Sequence, residues 1–134
     1  MVKMPQEVIE TIEKQNPVPV ATVSADGVPN VAFVGLLKIL DDETILIADN
    51  FFNKTEANIK DNPKISLVAY DSYAKKAYQV KGSVELLSSG LIYEDMVKWV
   101  HSRNANLPAK AAVVMHVEEV FNSMFGKHAG EKIL

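Results

Sequence analysis

Apolar residues first take a helical spacing between Pro5 and Gln15, where Val8, Ile9 and Ile12 fall on one side and Glu7, Glu10, Glu13 and Lys14 on the other. The spacing predicts an amphipathic helix that acts as a lid or flank, not as a core helix. Val18 to Ser24 is rich in β-formers and runs into Ala25-Asp26-Gly27, a turn signal that leads to a second strand from about Val28 to Leu40. Asp41-Asp42-Glu43 turns the chain into a third strand, Thr44 to Asp49. A short helix opens at Asn53 and is stopped by Pro63. Lys64 to Tyr70 reads as a strand, and Tyr78 to Leu87 alternates most regularly, with Tyr78, Val80, Gly82, Val84 and Leu86 on one face. Ser88-Ser89-Gly90 opens a longer helix with Ile92, Met96, Trp99 and Val100 at helical spacing, ending near Asn104 to Pro108. A last strand covers Ala111 to Val120.

Six strands joined by turns, with helices at the start, in the middle and near the end, argue for an antiparallel barrel and against alternating βαβ units. The expected class is mainly β with flanking helices, in one domain spanning residues 1–134 with no linker and no repeat. Val31 to Leu40 and Ile45 to Ala48 are apolar on both faces, so a helix or a second subunit must cover their outer side. Gly35 marks either a bulge that curls the sheet or a point of close approach by a ligand.

Composition narrows the chemistry. A chain of 134 residues can bury a real core without staples, and it has no cysteine, which excludes disulfides, zinc-thiolate sites and thiol catalysis. Net charge is -3, with a single arginine, Arg103, and no basic stretch denser than Lys75-Lys76, so nucleic acid is not an expected partner. No apolar run reaches the roughly 18 residues that span a bilayer, and the N-terminus lacks a signal-peptide core; the expectation is a cytoplasmic protein.

Local chemistry concentrates at Asn53-Lys54-Thr55-Glu56, where an N-cap asparagine and a glutamate three residues on would leave the first-turn amides pointing outward beside a lysine and a hydroxyl. Such a turn is either an anion seat or an ordinary capped surface helix. Phe51 and Phe52, directly before it, are awkward to bury in a loop and could wall a planar ligand. Gln79 and Lys81 occupy the polar face of their strand, where most residues are simply solvated, and Trp99 suits a core or interface anchor. His116 and Glu118 share a strand face, but two ligands do not make a metal site, and none is expected. No Ser-His-Asp order, nucleophile elbow, GxGxxG or P-loop appears.

The order of these pieces resembles the FMN-binding split-barrel family related to pyridoxamine 5′-phosphate oxidase, and most closely its small single-domain members. The residues that carry the resemblance are Pro19-Val20-Ala21-Thr22-Val23, Asp26-Gly27-Val28-Pro29-Asn30-Val31, Leu37-Lys38-Ile39-Leu40-Asp41, Lys54-Thr55-Glu56-Ala57-Asn58-Ile59 and Val80-Lys81-Gly82-Ser83. The resemblance implies a six-stranded antiparallel Greek-key split β-barrel that forms a homodimer with FMN held between subunits. It places the flavin phosphate at Lys54 and Thr55, with Asn53 beside them. The ring would lie along Phe33, Val34 and Gly35, and Ala48, Asp49 and Asn50 would offer backbone contacts to its polar edge. Gln79 is a further candidate contact.

Where family members often carry polar residues after the first hairpin, this chain has Val31, Ala32 and Phe33, and one arginine permits no multi-arginine clamp within a subunit. The implied activity is an FMN-dependent oxidoreductase, a flavin reductase or electron carrier, with no catalytic acid or base singled out. The alternatives are a non-catalytic flavin-binding module and the same fold holding a deazaflavin or haem.

Overall fold

The stretch expected as one long second strand is two strands at opposite edges of the sheet. In the computed structural model, which describes all 134 residues, the elements are α1 (Gln6–Lys14), β1 (Val18–Val23), β2 (Pro29–Val34), β3 (Leu37–Asp41), β4 (Thr44–Asp49), α2 (Lys54–Asp61), β5 (Lys64–Asp71), β6 (Lys76–Leu87), α3 (Leu91–Arg103) and β7 (Ala111–Asn122). The sheet has seven strands, not six, in the order β2-β1-β5-β6-β7-β4-β3, and every pairing is antiparallel. β2 pairs with β1 up to Val34↔Val18, and three residues later β3 begins its pairing with β4 at Leu37↔Ile47. Gly35 and Leu36 are therefore where an extended chain exchanges one hydrogen-bonding partner for another. Because the two sheet edges are consecutive in sequence, the sheet must curl to bring them together, which yields the half-barrel of a split-barrel architecture.

The inner face gathers one core. Val18, Val20, Val34, Ile45, Ile47, Leu67, Val80, Val113 and Met115 all belong to it, so β1, β2, β4, β5, β6 and β7 converge on the same interior. α1 contributes Val8 and Ile12, both essentially fully buried, while its acidic side faces solvent. It flanks the sheet as expected but is more than a lid, since its apolar stripe belongs to the main core. Ile59 does the same for α2.

α3 builds a second core on the outside of the sheet. Met96 and Val100 pack against Leu46 and Ala48 of β4 and Ala112 and Val114 of β7. Burial of these two side chains stabilises the fold by roughly 2 kcal/mol each. The doubly apolar strand β4 is thus covered by a helix of its own subunit. β2 is not: Val31 is 68% exposed and Phe33 71% exposed on its outer face.

β6 and β7 form the longest ladder, interrupted where the register slips between Lys81 and Gly82 so that Glu118 is passed over. Gly82 is required there, because a Cβ would stand 2.2 Å from the carbonyl oxygen of His116. The C-terminal tail folds back along β7 of its own subunit. Asn122 donates its amide to Glu131 O, and Ile133 donates to Val120 O.

Candidate functional site

A groove with a cavity volume of about 460 Å³ runs between β2 and the loop that joins β4 to α2. That size lies within the range of small-molecule and cofactor sites. One wall is the outer face of β2 and its exit, including Val31, Phe33, Val34 and Gly35. The other is Ala48, Asn50, Phe51 and Phe52, and the polar end is Asn53, Lys54 and Thr55. The apolar length and the cationic end are thus spatially separated in one depression.

The polar end is not built as the local pattern suggests. Asn53 has φ -126° and ψ -82° and makes no capping hydrogen bond, so the expected cap is absent. Glu56 does not reach back to it. Its carboxylate pairs with Lys60 at 3.1 Å and with Lys110 at 3.5 Å. The turn is instead shaped by Asp49, whose Oδ1 accepts the amide of Phe52 at 3.0 Å, and by Lys110, whose Nζ donates to Phe52 O at 3.0 Å. A local bond from Asp49, three residues before Phe52, and a long-range one from Lys110 stand in place of the capping box. The amides of Lys54, Thr55 and Glu56 donate to no protein acceptor. A helix start with three such N–H groups, a lysine and a threonine hydroxyl is suited to a phosphate-sized anion.

Asp49 itself faces away from the groove. It has no solvent exposure, its Oδ2 meets no donor, and Lys110 Nζ is 3.8 Å from its Oδ1. Burial, and then hydrogen bonding with Glu56, push its carboxyl up to about 6. Glu56 moves the other way, to about 2, held down first by that same bond with Asp49 and then by Lys60. Between about pH 2 and 6 these shifts describe a protonated Asp49 beside an ionised Glu56.

Of the residues singled out from sequence, Lys54, Thr55, Asn53, Asn50, Ala48, Phe33, Val34 and Gly35 line the groove together. Asp49 supports its rim from behind. Gln79 stands apart on β6, opposite Val68 and Phe121, and lines no part of it in this subunit. Ala48 has its amide bonded to Leu36 O, and Asp49 O accepts from Lys110, whereas the amide of Asn50 has no protein acceptor. Arg103 borders a different cavity with Ile12 and Trp99, and Lys81 lies over the ring of Phe121 at 5.3 Å. His116 is paired with Glu85 at 2.9 Å, and Glu118 with Lys64 at 2.9 Å, so the two do not face a common point.

Sequence reading missed Asn30, Leu107 and the Ala109–Lys110 corner. Leu107 closes one side of the groove. Ala109, at φ 47°, donates its amide to Asn50 Oδ1 at 2.9 Å and so holds the loop that carries Asn50 to Asn53. Only the geometry of a chain reversal after Pro108 could have signalled this, and nothing local in Ala109-Lys110 does.

The chain matches the family described as pyridoxamine 5′-phosphate oxidase over residues 4–124. It is 38% identical to an uncharacterised protein of Methanocaldococcus jannaschii, over 99% of this chain and 89% of that one. Its fold is similar to the crystal structure of HupZ from Group A Streptococcus, with a TM-score of 0.81 and 33% identity over 97% of this chain and all of the other. An FMN-binding protein from Syntrophomonas wolfei shares the fold with a TM-score of 0.73 at 21% identity, over 91% and 90% of the two chains. The protein is therefore a member of the pyridoxamine 5′-phosphate oxidase family.

Proposed function

We propose that this protein binds FMN in the β2–α2 groove and serves as an FMN-dependent oxidoreductase, a flavin reductase or electron carrier. The observation that carries the reading is the set of three acceptor-free amides at Lys54, Thr55 and Glu56, opening into a groove whose remaining length is apolar. A phosphate fits the first and a planar ring system the second. Lys54 would supply charge, Thr55 and the amides directional donors, and Phe33, Phe51 and Phe52 the wall for the ring. The N–H of Asn50 is a donor available to the ring's polar edge. FMN would supply hydride or single-electron transfer, with the protein setting its potential and access.

Flavin suits the groove better than haem. Haem iron is held by His, Cys, Met or Tyr, and within one subunit none of these lines the groove. That an FMN-binding protein shares this fold adds to the flavin reading. The exposed Val31, Phe33 and Phe51 border the groove, and a second copy of the chain is proposed to cover them.

The visible spectrum of the protein as isolated tests the ligand, since FMN, a deazaflavin and haem absorb differently. Lys54→Ala is expected to weaken FMN binding by at least about tenfold while leaving the thermal unfolding of the ligand-free protein unchanged. Full flavin retention in that variant would remove Lys54 from the site. Steady-state oxidation of NAD(P)H by the flavin-loaded protein separates an enzyme from a carrier that takes electrons only from a protein donor.

A further inference from the structure

Four polar side chains from three elements meet behind the groove. Thr22 on β1 and Asn30 on β2 are direct cross-strand partners, and Thr55 and Asn58 lie one turn apart on the same side of α2. Thr22, Thr55 and Asn58 are all buried. Asn58 Nδ2 donates to Thr22 Oγ1 at 3.0 Å. Asn30 Nδ2 donates to Thr22 Oγ1 and to Thr55 Oγ1, both at 3.2 Å.

A side-chain amide has two N–H groups, and those of Asn30 are both taken, one by each hydroxyl. Thr22 accepts from two asparagines, so both of its lone pairs are occupied. Thr55 accepts from Asn30 and keeps its own proton, which no protein acceptor takes. A threonine in a helix commonly bonds back to a carbonyl four residues earlier, as Thr11 does here to Glu7 O at 2.7 Å. Thr55 does not. Its hydroxyl is a buried donor at the lining of the groove, held by an asparagine that is itself held by Thr22 and Asn58.

We infer that Thr22 and Asn58, which do not line the groove, are positioning residues that fix Asn30 and through it keep the Thr55 hydroxyl as an outward donor selective for a phosphomonoester. The inference rests on the phosphate-seat reading of Lys54 and Thr55 and adds a residue set and a specificity to it. A hydroxyl locked as donor favours the oxygens of a phosphate, which only accept, over an uncharged ribityl hydroxyl, which must also place its own proton.

The test measures dissociation constants for FMN and riboflavin by flavin fluorescence, in the parent protein and in Thr22→Val, Thr22→Ser and Asn58→Ala. Thr22→Val is expected to weaken FMN by about tenfold, the scale of one charge-assisted hydrogen bond, and to leave riboflavin unchanged. Thr22→Ser, which keeps the hydroxyl, is expected to restore FMN binding. Asn58→Ala is expected to shift FMN in the same direction as Thr22→Val and serves in its place should Thr22→Val fail to fold. Equal losses for FMN and riboflavin, or no loss for FMN in a folded variant, would overturn the positioning role alone. A parent protein that binds riboflavin as tightly as FMN would overturn the phosphate seat, and the positioning role with it.

Discussion

Lys110 Nζ stands 3.8 Å from Oδ1 of Asp49, a carboxylate with no exposure to solvent, and it is the one cation that reaches it. The same ammonium group is 3.5 Å from Glu56 and bonds the carbonyl of Phe52 at 3.0 Å. One side chain from the residue just before β7 thus ties the end of β4, the groove loop and the first turn of α2.

This arrangement sets a pH dependence. Asp49 has its carboxyl raised by burial from 3.8 to about 6, so its contribution to stability is fully present below pH 4 and is lost as pH rises through about 6. Glu56 is lowered from 4.5 to about 2, so its contribution is present above pH 4.5 and is lost as pH falls towards 2. Asp49→Asn keeps an acceptor for the Phe52 amide and offers an N–H where the proton sat. The variant should exceed its parent in stability at pH 8 by on the order of 2 kcal/mol, with the gap closing below about pH 4. Thermal unfolding of both proteins across that range checks it, and parallel profiles would sink the assignment.

Gly82→Ala should destabilise the fold by about 3 kcal/mol, at the upper end of overpacking costs. The clash is with backbone, since the new Cβ would lie 2.2 Å from His116 O, and no rotamer change relieves it. Chemical denaturation gives the difference directly. A loss below about 0.5 kcal/mol would mean that the bulge between β6 and β7 can open at little cost.

Met96→Ala tests whether α3 is a structural cover or a detachable one. Met96 is fully buried between α3 and the outer faces of β4 and β7, so truncation should cost about 2 to 5 kcal/mol. The same variant should retain the groove's flavin affinity at temperatures well below its unfolding transition, because Met96 lines no part of the groove. Denaturation and flavin titration on one sample separate the two effects.

Element identity was legible because burial follows period. Val8 and Ile12 in α1, and Tyr78, Val80 and Val84 in β6, sit at helical and alternating spacings and are buried as those spacings demand. The split at Gly35 was not legible: an extended apolar chain keeps the same appearance when it exchanges β1 for β4 as its partner, and the exchange is visible only in hydrogen bonds. The site shows the same division. Lys54 and Thr55 stand at the groove because they start a helix, which is local information. The absence of an Asn53 cap was hidden, because Lys110 shapes that turn from 58 residues further along the chain.

The outer face of β2 yields the last prediction. Val31, Phe33 and Phe51 are 68%, 71% and 75% exposed, whereas the outer faces of β4 and β7 are covered by α3. Apolar side chains clustered at an edge strand and bordering a cavity are better accounted for by a partner surface than by solvent. Joint replacement of Val31 and Phe33 by lysine should convert the proposed dimer into a monomer, since central apolar anchors each contribute about 2 kcal/mol or more to such interfaces. The core behind the strand, Val20 and Val34, is untouched by these changes, so the monomer should keep a cooperative melt. Sedimentation at micromolar concentration reads the outcome, with flavin retention measured on the same material. A parent that sediments as a monomer, or a double variant that remains a dimer, would remove β2 from the interface and leave the groove to be completed by one subunit.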